Sequence, residues 1–308
     1  MPSVPPPVSI YPLNANAGSD FAMSYKTILV HINDERRLPG LLRAAIVMAE
    51  SQHAHLIGLS VIPPVIIPAT SDIAIAIPSM IEAHRDAYRL QDARMKVAFD
   101  QATQVQAAPG SFTAEWRSLD AYHLASAVQM VMPLARAADL VIASQADPDW
   151  ENTVMLDFAD MLATGSGRPV LVLPNEPRAP FAAKRILVGW NGRREATRAV
   201  FDAIPLLKRA EDVKVLWIDP QDDTDTAGDL PAADLCAALA RHGVKCEETA
   251  SVSPKLSAGE TLLFEATKFG WDMLVMGCYG HSRMREFILG GASRHVLSSM
   301  TVPVFMSH

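Results

Sequence analysis

The sequence repeats one pattern of short apolar segments, and this repeat limits the folds that the chain can adopt. Residues 26–30 (KTILV) recur as residues 184–188 (KRILV), and a polar turn follows each copy. The later runs recur in the same order, as residues 139–143 and 272–276 and as residues 168–172 and 302–306. Continuous apolar runs of this length are too short for helices and predict strands buried on both faces of a sheet. The chain therefore predicts two copies of one unit.

Amphipathic segments separate these strands. Residues 41–51 and 195–208 follow the first strand of each copy with apolar residues at helical spacing. The second strands are predicted at 56–62 and 213–218, and the third at 112–117 and 244–248. Capping boxes predict two helix starts, at Ser79 with Glu82 for a helix over 79–104, and at Ser257 with Glu260. Alternating strands and helices predict an α/β fold, with two tandem doubly wound domains that each hold a five-stranded parallel sheet.

Local composition places the domain boundaries. Residues 1–22 are rich in Pro, Asn, Ser and Ala and lack the features of a secretory signal, so we expect a flexible tail. The first domain then covers 23–173, a linker with three prolines covers 174–183, and the second domain covers 184–308. A proline opens each fifth strand, which is tolerated at a sheet edge. These edges are free to pair, either between two chains or between the halves of one chain.

Charge and cysteine content exclude several classes of protein. The chain has 27 Lys and Arg residues against 34 Asp and Glu residues, a net charge of −7, which argues against nucleic acid and anionic membranes as partners. Residues 61–80 are apolar but are broken by four prolines and Asp72, so they predict a loop or lid and no membrane span. Three cysteines without CxxC spacing fit a reducing, cytoplasmic compartment and predict no metal site.

One glycine pattern stands out as a candidate binding loop. Gly277 and Gly280 follow the fourth strand of the second copy, and Gly290 and Gly291 come nine residues later and open a helix, with Ser293 in its first turn. Glycines let a backbone approach phosphate oxygens closely, and the free amides of a helix start attract anions. The basic neighbours are His281, Arg283, Arg285 and Arg294. The alternative is that these glycines only permit turns and close helix packing.

With this spacing the sequence resembles the universal stress protein family, whose ATP-binding members carry Gly, two residues, Gly, nine residues, Gly and then Ser or Thr. The resemblance covers nearly all of the chain from Tyr25 as a tandem pair. It implies ATP or a related adenine nucleotide, with Mg²⁺, in the second domain, and association through the edge strands. The implied nucleotide-binding residues are Gly189, Trp190, Asn191, Trp217, Met276, Gly277, Gly280, His281, Gly290, Gly291, Ala292 and Ser293.

The match to the family pattern has three departures. Asn191 stands where the family has an acid on the adenine side, and it keeps a donor and an acceptor without the charge. Gly291 stands at the Ser or Thr position, so Ser293 is the candidate to supply the hydroxyl. Trp217 stands at the end of the second strand, where the family usually presents a small aliphatic residue. Its ring could stack on a base, fill the pocket or belong to the core.

The first copy lacks the loop. Ser144 and Asp147 take the positions of the first two motif glycines, and residues 147–151 are acidic and would repel a phosphate. No glycine occurs at 155–158, where the third would be needed, although Asn33 occupies the strand-one position. The first domain is therefore expected not to bind ATP in the family manner.

These observations favour a cytoplasmic stress-response protein whose second domain binds an adenine nucleotide and whose action is regulatory. No nucleophile or general base accompanies the glycine loop, so at most slow ATP hydrolysis is expected. Two alternatives stay open. One is an interaction module of the same family that binds no nucleotide and associates through edge strands 170–173 and 304–306. The other is an enzyme acting on ATP and a second substrate beneath the 61–80 segment.

Overall fold

The computed structural model describes residues 24–63, 77–106, 111–121, 127–150, 152–218, 231–251, 256–278 and 291–308. Within these ranges the first half of the chain forms β1 (Thr27–His31), α1 (Leu38–Gln52), β2 (His55–Ile62), α2 (Ile77–Gln106), β3 (Thr113–Asp120), α3 (Ala127–Ala137), β4 (Leu140–Ser144), α4 (Thr153–Leu156), α5 (Ala159–Gly165) and β5 (Val170–Leu173). The second half forms β6 (Arg185–Trp190), α6 (Arg194–Asp202), α7 (Ile204–Leu207), β7 (Asp212–Ile218), α8 (Pro231–Arg241), β8 (Glu247–Ser251), α9 (Ala258–Lys268), β9 (Met273–Gly277), α10 (Gly291–Ser299) and β10 (Val304–Ser307).

All of these strands join one sheet in the order β3-β2-β1-β4-β5-β10-β9-β6-β7-β8. Pairing within each half is parallel, and the second half repeats the order of the first in reverse. The halves meet where β5 and β10 pair antiparallel, with Leu171 opposite Phe305. This arrangement confirms the predicted doubly wound α/β fold and places both inner edges against each other within one chain. Residues 174–183 between the halves carry no helix or strand.

Two hydrophobic layers cover the sheet, one on each face. Alternation along β1 directs Ile28 and Val30 into the layer beneath α1, α2, α6, α7 and α8, while Leu29 joins the layer beneath α3, α4, α5, α9 and α10. The layers continue across the junction, since Leu171 and Phe305 lie in the same layer and are both fully buried. Burying a side chain of this size contributes roughly 1.5–3 kcal/mol. The two halves therefore share one core.

The predicted strands are present, but the third strand of the second half begins later than predicted. It begins at Glu247, because Val244 lies in the turn that follows the end of α8 at Arg241. There Gly243 has a φ of 82°, and the Val244 amide donates to the Leu239 carbonyl over 3.1 Å. This is the hydrogen bonding of a Schellman motif, whose apolar residue packs back against its helix. Val244 is apolar and only 1% exposed, as a buried strand residue would be, which is why the sequence pattern predicted a strand there.

The predicted helix over 195–208 is divided into α6 and α7. Pro205 lies in the first turn of α7 and has no amide hydrogen to continue the ladder of α6. The capping box of Ser257 and Glu260 is confirmed, with both reciprocal bonds present. Ser79 lies inside the first turn of α2, which begins two residues earlier, so it does not cap that helix. The described helices include none that is long and apolar enough to cross a membrane. Most of the predicted 61–80 lid lies outside the described residues.

Candidate functional site

A cavity of about 180 Å³ lies in the second half, at the carboxyl ends of β6, β7 and β9. This edge of a parallel sheet is where loops and helix starts converge, so it is the usual ligand position of the fold. The lining residues come from these strand ends, from the starts of α6 and α9, and from the first turn of α10. They are Gly189, Trp190, Asn191, Arg193, Glu195, Ala196, Ile218, Ala258, Leu262, Met276, Gly277, Gly291, Ala292 and Ser293.

Most of the site residues expected from the sequence meet at this cavity. Those in the lining are Gly189, Trp190, Asn191, Met276, Gly277, Gly291, Ala292 and Ser293. Gly280, His281 and Gly290 lie outside the described residues. The structure therefore brings the end of β6 together with the residues on either side of the glycine loop, Gly277 and Gly291. Residues 191 and 291 are 100 positions apart in the sequence.

Trp217 is absent from the described lining, and Ile218 takes its place. Successive residues of a strand point to opposite faces, so a shift of one residue changes the face. Trp217 is 5% exposed and pairs in register with Trp190, whereas Ile218 packs with the layer that holds Leu262. At the end of β7 it is thus Ile218 that faces the cavity, and Trp217 lies in the interior of the fold.

Gly277 is required by packing. A Cβ atom at this position would lie 2.4 Å from the Ala196 nitrogen and 2.5 Å from the Glu195 carbonyl carbon. Both are backbone atoms, so they cannot yield as a flexible side chain would. The glycine lets the start of α6 approach the end of β9, which fits the alternative that some motif glycines serve close helix packing.

Gly291 has a different environment. Among the described residues, a Cβ atom there would meet nothing within 4 Å, and the φ of Gly291 is not in the left-handed region. It opens α10, whose position is fixed by α9, because a Cβ at Gly259 would lie 2.9 Å from the Ala292 carbonyl oxygen. Ser293 is only 4% exposed and faces the cavity from the same turn. The first turn of α10 therefore lines the cavity on one side and packs closely against α9 on the other.

Glu195 is a lining residue that the sequence reasoning missed. It lies in the first turn of α6, is 7% exposed, and accepts a 2.7 Å hydrogen bond from Arg194 Nε. Burial alone would raise its pKa, but the hydrogen bond and charge of Arg194 outweigh burial and hold the pKa below its usual value. The site thus contains an ionised carboxylate. Its sequence signal was weak, because a glutamate in a first turn is common for helix-dipole reasons alone.

Asn191 turns the chain from β6 into α6. Its Oδ1 accepts a hydrogen bond from the Arg193 amide over 3.1 Å. An asparagine that bonds the backbone two residues ahead forms an Asx turn, which orients the following helix start. The same residue thus orders the turn and contributes to the cavity wall.

At the equivalent position of the first half, side chains bond to one another beside a separate cavity of about 510 Å³ that lies between the start of α1 and residues 173–181. Arg37 lies four residues after Asn33, as Glu195 lies four after Asn191, so the charge is inverted. Arg37 Nη1 donates to Asp157 Oδ1 over 2.7 Å and to Ser144 Oγ over 2.9 Å. The Arg37 and Asp157 side chains are 10% and 4% exposed. This ion pair joins the start of α1 to the segment after α4.

Aromatic packing accompanies this ion pair. His31 replaces Gly189 at the strand end, and its ring centroid lies 4.5 Å from that of Phe158. Phe158 and Leu156 are almost fully buried. Burial and the nearby charge of Arg37 lower the pKa of His31 to about 3, so the imidazole is neutral near pH 7.

The fold and the cavity define the class of protein. A tandem, doubly wound sheet with its cavity at the strand carboxyl ends is the adenine nucleotide alpha-hydrolase-like architecture. The sequence model of the universal stress protein family matches residues 182–308, and this part of the chain belongs to that family.

Solved structures extend the likeness in fold to both halves. The crystal structure of a universal stress protein from Archaeoglobus fulgidus DSM 4304 superposes with a TM-score of 0.65 at 15% identity, covering 91% of this chain and 97% of that one. A functionally unknown protein from Pseudomonas aeruginosa PAO1 gives a TM-score of 0.56 at 14% identity, covering 92% of each chain. No curated protein sequence matches the chain. At these identities the structural matches establish the fold alone.

Proposed function

We propose that the second half binds an adenine nucleotide, ATP in the first instance, and that the chain acts by binding in a cytoplasmic stress response. The observation that carries this proposal is the cavity that joins the end of β6 to the first turn of α10. Its described lining divides into two chemically different parts, as a nucleotide requires. One part is apolar and suits a base, and the other presents backbone amides and suits phosphates.

The apolar part consists of Ile218, Leu262 and Met276, which extend from the buried layer of the sheet. The polar part is the first turn of α10, which Gly291 opens and where Ala292 and Ser293 also line the cavity. The backbone amides of a helix start, with the helix dipole behind them, bind phosphate without needing a positive side chain. Gly291 has no side chain of its own, and no atom of the described residues lies within 4 Å of the point where a Cβ would be.

The buried carboxylate of Glu195 sets a condition on the ligand. An ionised acid in a small cavity repels a bare polyphosphate but accepts hydrogen bonds from ribose hydroxyls and supplies an oxygen ligand to Mg²⁺. Glu195 is therefore the residue of the described lining that fits a nucleotide carrying Mg²⁺. We expect at most slow ATP hydrolysis, with nucleotide occupancy acting as the signal.

The first half is proposed to be a structural or regulatory partner. At the end of β1 the Arg37–Asp157 ion pair and Phe158 occupy the position that corresponds to the second-half cavity, and the separate cavity beside α1 is lined by charged residues and by the proline-rich segment 174–181. One nucleotide per chain is the resulting stoichiometry.

Two glycines allow a matched test of this proposal. Gly291 and Gly40 are both exposed and lie in the first turn of a helix, and in the described part of the chain no atom lies within 4 Å of the point where a Cβ would lie. Gly291→Asp places a carboxylate at the proposed phosphate position, whereas Gly40→Asp places one on α1 of the first half. Calorimetric titration with Mg-ATP should show one site in the wild type and in Gly40→Asp, and none in Gly291→Asp.

Equal ATP affinity in Gly291→Asp and the wild type would contradict the assigned site. Anion-exchange chromatography of the supernatant after denaturation provides a second test, because a bound nucleotide should copurify. If neither experiment detects an adenine nucleotide, the interaction module without a nucleotide becomes the better proposal. The pairing of β5 with β10 is the observation that favours the interaction module. It shows that these two edge strands associate, here within one chain.

A further inference from the structure

The long helix α2 has an outer face that the fold does not use. Its inner face is anchored by Met95 and Phe99, which are 2% and 1% exposed in the core. On the outer face, Met80, Leu90 and Val97 are 62%, 60% and 54% exposed. These are three of the eight large hydrophobic residues that are exposed in the described part of the chain. Their concentration on one helix marks this face as a contact surface.

The outer face has the spacing of a helix-pairing seam. Ala83, Leu90 and Val97 are separated by seven residues, and Met80, Ala87 and Arg94 form a second line with the same separation. Two lines repeating every seven residues are the a and d positions through which helices pack along each other. The alanines leave room for the larger side chains of a partner helix. The natural occupant of this face is therefore another helix.

The charges on the seam indicate which helix. Asp86 and Arg94 lie four residues before and four residues after Leu90, and their side chains are 64% and 53% exposed. A two-fold axis through Leu90 places Asp86 of each copy opposite Arg94 of the other. In an isologous dimer the same surface of both copies meets itself, so its charges must match their opposites when one copy is turned around. The positions of Asp86 and Arg94 meet this requirement. We propose that α2 pairs antiparallel with α2 of a second copy of this chain, with Leu90 at the centre.

The present partners of these two charges do not prevent the exchange. Asp86 accepts from Arg89 over 3.1 Å, and Arg94 donates to Glu35 over 2.6 Å. Both are exposed ion pairs, which contribute little to stability, so replacing or sharing them costs little. In the dimer each charge gains a partner in a drier environment beside Leu90.

The described edges of the sheet are less suited to a second copy. The inner edges, β5 and β10, are already paired within the chain. Of the two outer edge strands, β3 carries Glu115 and Arg117 and β8 carries the exposed Glu247 and Glu248, and charged side chains on an edge oppose strand pairing. The α2 seam is small, so we expect a reversible dimer with a dissociation constant on the order of micromolar.

Sedimentation equilibrium of the full chain over a wide concentration range tests this interface. The wild type should show a monomer–dimer equilibrium, and Leu90→Glu should remain monomeric. Met161→Glu is the matched control, because Met161 is also an exposed hydrophobic residue on a helix, 44% exposed on α5, and should dimerise normally. Circular dichroism should show equal folding of all variants, since both substituted residues face solvent.

Charge reversal distinguishes this arrangement from any other use of the helix. Asp86→Arg and Arg94→Asp should each weaken the dimer by about tenfold or more, because each places like charges together twice. The double variant Asp86→Arg/Arg94→Asp should restore the wild-type affinity. A monomeric wild type, a dimer that survives Leu90→Glu, or a double variant as weak as the single ones would each overturn the proposal. Nucleotide binding plays no part in these measurements.

Discussion

Gly291 and Gly277 belong to one sequence motif but should respond to the same substitution in opposite ways. Gly291→Ser restores the hydroxyl that the family pattern has at this position. No atom of the described residues lies within 4 Å of a Cβ there, so the added side chain meets none of them. Gly277→Ser adds the same atoms where a Cβ would lie 2.4 Å from the Ala196 nitrogen.

The magnitudes follow from these distances. A hydrogen bond from a serine hydroxyl to a charged phosphate contributes about 1.5–3 kcal/mol, less the cost of fixing one rotamer, so ATP affinity should rise roughly tenfold in Gly291→Ser. Helix propensity also favours serine over glycine by a few tenths of a kcal/mol, so stability should not fall. Overpacking at Gly277 should cost about 1–3 kcal/mol. The displaced start of α6 carries Glu195 and Ala196, so ATP affinity should fall as well.

Calorimetric titration with Mg-ATP and thermal unfolding without nucleotide separate the two effects. Gly291→Ser should bind ATP more tightly with an unchanged or higher melting temperature, and Gly277→Ser should lose both affinity and stability. The reasoning is refuted if Gly291→Ser has the ATP affinity and the stability of the wild type, because a hydroxyl beside the phosphates should change the affinity. Wild-type stability in Gly277→Ser would refute the packing argument.

Three further predictions concern buried groups. Asp157→Ala leaves the Arg37 guanidinium without its main partner, so the free energy of unfolding measured in urea should fall by about 3–5 kcal/mol. A loss under about 1 kcal/mol would show that the Arg37–Asp157 ion pair does not form in solution. His31 has a folded-state pKa of about 3, so between its ordinary pKa of about 6.5 and about pH 3 only the unfolded chain binds the proton. Stability should therefore fall with decreasing pH across that window, by up to about 1.4 kcal/mol per unit, and His31→Gln should have a flatter profile. Burial raises the pKa of Cys278 and of Cys236 to about 12, so at pH 8 mass spectrometry should detect slow alkylation of both in the folded protein and fast alkylation in urea. Equal rates in the two states would contradict their assigned environments.

Most of the fold could be predicted because its signals are local. Buried parallel strands are continuous apolar runs, and the capping box at Ser257 and Glu260 needs only four residues to be recognised. The same holds for the strand ends that form the cavity, since the topology of an open sheet dictates where they meet. Repetition strengthened the prediction, because each element of one half predicted its counterpart in the other.

The remaining features depend on contacts between distant residues. Arg37 and Asp157 are 120 positions apart, and no local pattern marks them as partners. The roles of Gly277 and Gly291 are indistinguishable in the sequence, because the difference lies in how closely α6 approaches β9. Trp217 was placed at the cavity through an error of one residue in strand phase, which is sufficient to change the face of the sheet.

The antiparallel pairing of β5 with β10 also has a consequence for how the two halves can evolve. In a symmetric pair of identical subunits, any substitution appears on both sides of the axis at once, so a site cannot be lost from one subunit and kept in the other. Here the two sides are encoded separately but share one sheet and one core. Arg37 and Glu195 can therefore differ in sign at matching positions, and each half is free to follow its own selection while the other preserves the shared scaffold.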